Sequence, residues 1–69
     1  MNRIHTVIMD VLETYTPILG AVPLKLLHYH CCNHPKYGDN YTINEIEQQV
    51  ENLKELDYVD VTRAYKPGR

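Results

Sequence analysis

The sequence is poor in the features that mark several large protein classes. Its only cysteines, Cys31 and Cys32, are neighbours. A bridge between adjacent residues is strained and closes almost no loop, so the pair is expected as free thiols in a reducing compartment. No apolar run approaches the roughly 20 residues of a membrane-spanning helix, and residues 1–5 lack the apolar stretch and cleavage site of a signal peptide. A cytoplasmic location is the expectation, with no membrane partner. There is no glycine-rich phosphate loop, because Gly20, Gly38 and Gly68 each stand at a turn. Neither cysteine stands in an arrangement that aligns it with a histidine in a cleft, since helical neighbours project side by side from one backbone. The chain is therefore not expected to be an enzyme or to take a small-molecule substrate. It also lacks an excess of basic residues: 7 Lys and Arg stand against 9 Asp and Glu, a formal net charge of −2, whereas phosphate binding normally shows as a surplus of cations.

What is present describes a folded domain. Sixty-nine residues, 43% hydrophobic and 23% charged, suffice for one core near the lower limit of independent stability. The charges are segregated. Glu45, Glu47, Glu51, Glu55, Asp57 and Asp60 face Lys54 alone, while Arg63, Lys66 and Arg69 end the chain without an acid among them. One acidic face and one basic end should result.

Periodicity places the elements. Ile4, Val7, Ile8, Val11, Leu12 and Tyr15 recur on one helical face, with Asn2 as N-cap and Pro17 disfavouring helical geometry at Thr16, so a first helix is predicted over 3–15. Residues 18–22 read as an extended connector able to add one or two rungs to a small sheet. Pro23 fits the first turn of a second helix over 23–32, with Leu24, Leu27, His28 and Cys31 on one face and Leu26 and Tyr29 on the other. Residues 33–40 are rich in turn formers and make a loop. Thr42 and Glu45 then form a capping box, with Tyr41 and Ile46 as the matching hydrophobic staple. The third helix, over 43–56, buries Ile43, Ile46, Val50, Leu53 and Leu56. From Tyr58 the period switches to alternation, which predicts one strand over 58–65 with Val59 and Val61 inward. Lys66-Pro67-Gly68-Arg69 reads as a turn-type ending, so no return strand is expected. No repeat or domain boundary interrupts the 69 residues.

This order, with a stretch from Tyr41-Thr42-Ile43-Asn44-Glu45-Ile46 to Leu53-Lys54-Glu55-Leu56-Asp57-Tyr58-Val59 that leads a capped helix into a strand, resembles the winged helix-turn-helix superfamily. The resemblance implies a mainly α fold with a small β element: a three-helix, winged-helix-like domain with a truncated wing. It also implies that the third helix enters the DNA major groove. Its outward residues are Asn44, Gln48, Glu51, Asn52 and Glu55; of these Asn44, Gln48 and Asn52 have the amide chemistry that reads adenine. Arg63, Lys66 and Arg69, with Lys25 and Lys36, are the candidate phosphate contacts, and Tyr65 is a candidate for stacking on a sugar or base. The bland readings are a solvated helix face and a frayed charged terminus. A small transcription regulator of the kind encoded by phages and mobile elements, monomeric or dimeric on double-stranded DNA, is one expectation. The other is a protein-interaction module that uses the acidic third helix or the open edge of the 58–65 strand.

His28-Tyr29-His30-Cys31-Cys32-Asn33-His34 is a separate cluster. A metal set of His28, Cys31, Cys32 and His34 would need the helix to fray near Asn33, and its spacing matches no zinc-finger pattern. The structural alternative is a small buried thiol and a core histidine with a hydrogen-bond partner. No cofactor is expected.

Overall fold

The structure, a computed structural model, describes residues 2–68. Three helices, α1 (Arg3–Leu19), α2 (Leu24–Cys32) and α3 (Ile43–Glu55), precede two strands, β1 (Val59–Val61) and β2 (Tyr65–Pro67). The result is a mainly helical, winged-helix-like arrangement. The core takes side chains from every helix and from β1: Val7, Ile8, Val11 and Leu12, then Val22, then Leu27 and Cys31, then Ile46, Val50 and Leu53, and lastly Val59. No polar or charged side chain is fully buried among the described residues. The tyrosines at 15, 37, 41 and 65 pack, half-buried, around the margin of this core. No helix among these residues is long and apolar enough to cross a membrane.

Local chemistry sets the helix starts. The Asn2 side chain accepts from the His5 backbone N–H at 3.0 Å and caps α1. In α3 the Glu45 N–H donates to Thr42 Oγ1, and the Thr42 N–H donates to Glu45 Oε1, both at 3.0 Å, completing the predicted capping box. Pro23 precedes α2 as its cap residue, so the helix begins one residue later than predicted.

Two ends differ from the sequence expectation. The first helix does not stop near Tyr15 but runs through Pro17 to Leu19. Proline here forfeits one hydrogen bond, and one turn earlier Tyr15 stacks on His30 of α2 with centroids 4.0 Å apart. Gly20, at φ 81°, ends the helix by donating to the Thr16 carbonyl at 2.7 Å. Only Ala21 and Val22 remain extended, and Val22 exchanges two backbone hydrogen bonds with Tyr65, at 2.7 and 2.9 Å.

The second correction concerns the wing. The strand predicted over 58–65 is two strands, with Thr62, Arg63 and Ala64 as the turn between them. Val59 pairs with Pro67, Asp60 with Lys66 and Val61 with Tyr65. The return strand therefore exists, and the wing is small, three residues to a strand. Lys66-Pro67-Gly68 reads as a turn because of its composition. Proline is tolerated at the end of β2 because Val22 pairs with that strand only at Tyr65, so no ladder donor is required of residue 67. The sheet order is Val22, β2, β1.

The exit of α3 aims this hairpin. Asp57 adopts φ 65°, the Tyr58 N–H returns to the Leu53 carbonyl at 2.9 Å, and the Asp57 N–H to the Lys54 carbonyl at 3.0 Å. This paired closure satisfies two terminal carbonyls and turns the chain directly into β1. Gly68 closes the far end through a 2.9 Å bond to the Tyr58 carbonyl, and a Cβ there would lie 2.7 Å from the Asp57 carbonyl oxygen. A left-handed conformation at Asp57 strains an L-residue. Asp57→Gly is therefore expected to raise stability by about 0.5–1 kcal/mol in urea unfolding, and Asp57→Val to lower it by about 1 kcal/mol or more. Equal midpoints for the three proteins would refute the assignment of strain.

Candidate nucleic-acid interface

The α3 face turned from the core carries Asn44, Gln48, Glu51 and Glu55, all exposed. Asn44 and Gln48 line a shallow depression with Glu47 and Glu51. Two amides able to read a base edge are thus interleaved with two carboxylates. Asn52 does not join them. It is half-buried on the flank toward α1, where its Nδ2 donates to Gln49 Oε1 at 3.3 Å. The same oxygen accepts from His5 Nε2 at 2.7 Å. Asn52 belongs to a bridge between α1 and α3 rather than to the open face.

The hairpin flanks α3 on its other side. Arg63 is exposed at the tip, and Lys66 is exposed on β2 opposite Asp60. Tyr65 is half-buried against the core. Burial, with Glu47 and then Glu51 adding to it, raises its hydroxyl above the ordinary tyrosine value. The wing therefore stands beside the acidic flank of the helix, and Tyr65 serves as its anchor instead of standing free to stack on a base. Lys25 is exposed on α2. Lys36 lies over the Tyr37 ring, 5.3 Å from its centroid, in a groove against Met9, Asp10 and Glu13 of α1, which no residue of α3 or the hairpin lines. Arg69 lies outside the described residues. Of the predicted contacts, Asn44, Gln48, Arg63 and Lys66 belong to α3 and the adjoining wing; Asn52 and Lys36 are turned to other neighbours.

The histidine and cysteine cluster disperses into separate structural tasks. His28 Nε2 donates to the Tyr41 carbonyl at 2.7 Å, and Cys32 Sγ donates to the same oxygen at 3.4 Å. His34 Nδ1 accepts the backbone N–H groups of Lys36 and Tyr37 at 3.1 and 3.0 Å, and its Nε2 faces Asp10 Oδ2 at 2.5 Å. With two donors on Nδ1, the ring proton sits on Nε2, so the neutral ring has no free lone pair for a metal. His30 stacks on Tyr15. Cys31 is fully buried, and burial, with Cys32 adding, pushes its thiol up to about 12. No group of three or more His, Cys, Asp or Glu side chains suited to a metal ion exists among the described residues. The set His28, Cys31, Cys32 and His34 does not converge. Sequence reasoning missed the pairing of His34 with Asp10, 24 positions apart in the chain, because neither periodicity nor a motif marks a contact between a helix face and a loop.

The thiols provide a direct check. At pH 8 a thiol at about 12 is thiolate in only about one molecule in ten thousand. In iodoacetamide labelling, Cys32 should therefore react in the folded protein and Cys31 only on unfolding; equal native rates would contradict the burial. His28→Ala should lower stability by about 1–2 kcal/mol in chemical denaturation, because it removes the stronger donor to the Tyr41 carbonyl; no change would show that the bond is not made in solution. Comparison with protein-family profiles, characterised proteins and solved structures finds no match for the chain.

Proposed function

We propose that the chain is a small DNA-binding regulator of the winged helix-turn-helix type, acting in the cytoplasm and holding double-stranded DNA chiefly through its wing. The observation that carries this reading is the paired hairpin, which fixes Arg63 at its tip and Lys66 on its outward face beside α3. Cations on a short paired ribbon lose less freedom on meeting phosphates than cations on a loose tail. Asn44 and Gln48, near the start of α3, are the base-reading candidates. Glu47, Glu51 and Glu55 limit how closely the rest of the helix approaches phosphate, since each uncompensated carboxylate opposes counterion release. Low affinity and strong salt dependence follow.

A second reading is favoured by one observation. The α3 depression with Glu47 and Glu51 suits a basic protein surface better than a phosphate backbone. On that reading the domain is an interaction module. The open edge imagined for the 58–65 strand no longer supports it in that form, because β2 occupies one side of β1.

Binding to mixed-sequence duplex DNA across a salt series separates the two. A regulator should lose affinity steeply as salt rises. Arg63→Glu with Lys66→Glu should weaken binding at least about tenfold at low salt and flatten the log–log slope by about 2, the value for two lost phosphate contacts. Absence of binding to duplex even at low salt would sink the DNA reading.

A further inference from the structure

The loop after α2 is wound about one imidazole. The His34 side chain is only 10% exposed. Its Nδ1 stands one bond beyond Cγ, the place that the side-chain oxygen takes in an asparagine cap. There it accepts the backbone N–H groups of Lys36 at 3.1 Å and Tyr37 at 3.0 Å, so the ring caps the single turn over residues 35–37. Its Nε2 reaches across to α1 and donates to Asp10 Oδ2 at 2.5 Å. The turn passes the constraint on. The Tyr37 ring lies against that of His34 with centroids 5.4 Å apart, and the Tyr37 carbonyl accepts the Tyr41 hydroxyl at 2.6 Å.

We infer that His34 is a proton-sensitive latch: as pH falls from about 8 to about 5, a second proton on its ring expels the two backbone donors and frees the 35–37 turn. The neutral ring has one in-plane lone pair, on Nδ1, because the Nε2 proton is engaged with Asp10. Both N–H groups share that lone pair. A proton added to the ring occupies it, and the two donors then face a third donor, with no bond among them. Proton and turn are alternatives for one atom. The bonds are therefore present at the upper end of the interval and lost as the pH falls. Opening leaves Tyr41 held at its carbonyl alone, by His28 and Cys32.

The charged and titratable groups around the ring come from α1, α2 and the loop. Asp10 and Glu13 of α1, with Lys36 and Tyr37 of the loop, border one side. Tyr15 and His30 border the other. Asp10 accepts from Nε2 whether or not Nδ1 is protonated. Its added attraction for a charged ring is screened, because the carboxylate is 54% exposed. Glu13 and Lys36 are exposed and of opposite sign. The interval also lies above the ordinary range of carboxylates, so the event belongs to an imidazole. Among the described residues, none of α3 or the hairpin borders either side, and the inference stands apart from the DNA reading.

Nuclear magnetic resonance of the whole chain, in steps from about pH 8 to about pH 5, reads both sides of this competition. At the upper end the His34 ring should be the Nε2–H tautomer, with the Lys36 and Tyr37 amides protected from exchange. On acidification the ring should gain its Nδ1 proton. Protection of both amides, corrected for the intrinsic dependence of exchange on pH, should fall at least about tenfold with the same midpoint. His34→Asn keeps an acceptor at the same branch position and has no proton to gain, so it should protect both amides equally at the two ends. His5, His28 and His30 remain in that variant, which isolates the effect of His34. An Nδ1–H tautomer at about pH 8, or a ring still neutral at about pH 5, overturns the inference. So does a ring that takes the proton while both amides stay protected, or a loss of protection that persists in folded His34→Asn.

Discussion

The carbonyl of Tyr41 is held by two side chains of α2, one turn apart, at the last residue before the cap of α3. His28 and Cys32 both donate to it, and the Tyr41 hydroxyl donates in turn to the Tyr37 carbonyl at 2.6 Å. One residue therefore ties together the second helix, the loop and the start of the third helix. The loop over 33–40 is too long to fix the angle between two helices by its own stiffness. The clamp supplies that constraint, and the capping box begins α3 immediately after it. The wing follows the exit of α3, so the placing of Arg63 and Lys66 depends on the same anchorage. A histidine and a cysteine that look like metal chemistry in the sequence work here as backbone donors.

How much of this is legible in the sequence depends on the range of the interaction. The α3 boundary at Thr42 is read correctly because its signals lie within four residues of one another. The burial of Val7, Ile8, Val11 and Leu12, and of Ile46, Val50 and Leu53, follows from periodicity alone. Leu56, predicted in the same buried stripe, is 61% exposed because α3 ends at Glu55 and leaves it as the C-cap; the other misreadings involve partners remote in the chain. Pro17 has a strong local preference against helix, yet α1 runs through it to the Gly20 cap. The β2 strand has turn-like composition, and only its neighbours β1 and Val22 make it a strand. At the candidate site, Asn52 stands on the outward side of a helical wheel, and it takes His5 and Gln49 to turn it toward α1. Local grammar gives the helices; the wing and the site come from pairings that no short window contains.

The electrostatics of the surface are uneven in a way that the net charge of −2 conceals. The acids of α3 lie on its outward face and on the flank beside the wing, where Glu47 and Glu51 add to the burial that raises the Tyr65 hydroxyl. Lys54, exposed in the last turn of α3, is the cation on that helix, and the hairpin beside it adds Arg63 and Lys66. A polyanion meets attraction at the tip and repulsion one helix radius away, which favours a glancing approach over deep insertion of α3. The exposed ion pair of Arg3 with Asp39, at 3.8 Å, spans from α1 to the loop and is too solvated to alter this balance.

The contact of Gly68 with the backbone at Asp57 closes residues 57–68 into a small ring, joined where α3 ends. A ring fastened at one point behaves as a lever. Load applied to the tip at Arg63 does not dissipate along a free tail but is returned by both strands to the last turn of α3, where the left-handed Asp57 acts as the pivot. Whatever grips the wing is thereby coupled to the helix beside it, because the Arg63 tip and the acidic face of α3 are joined through one backbone closure.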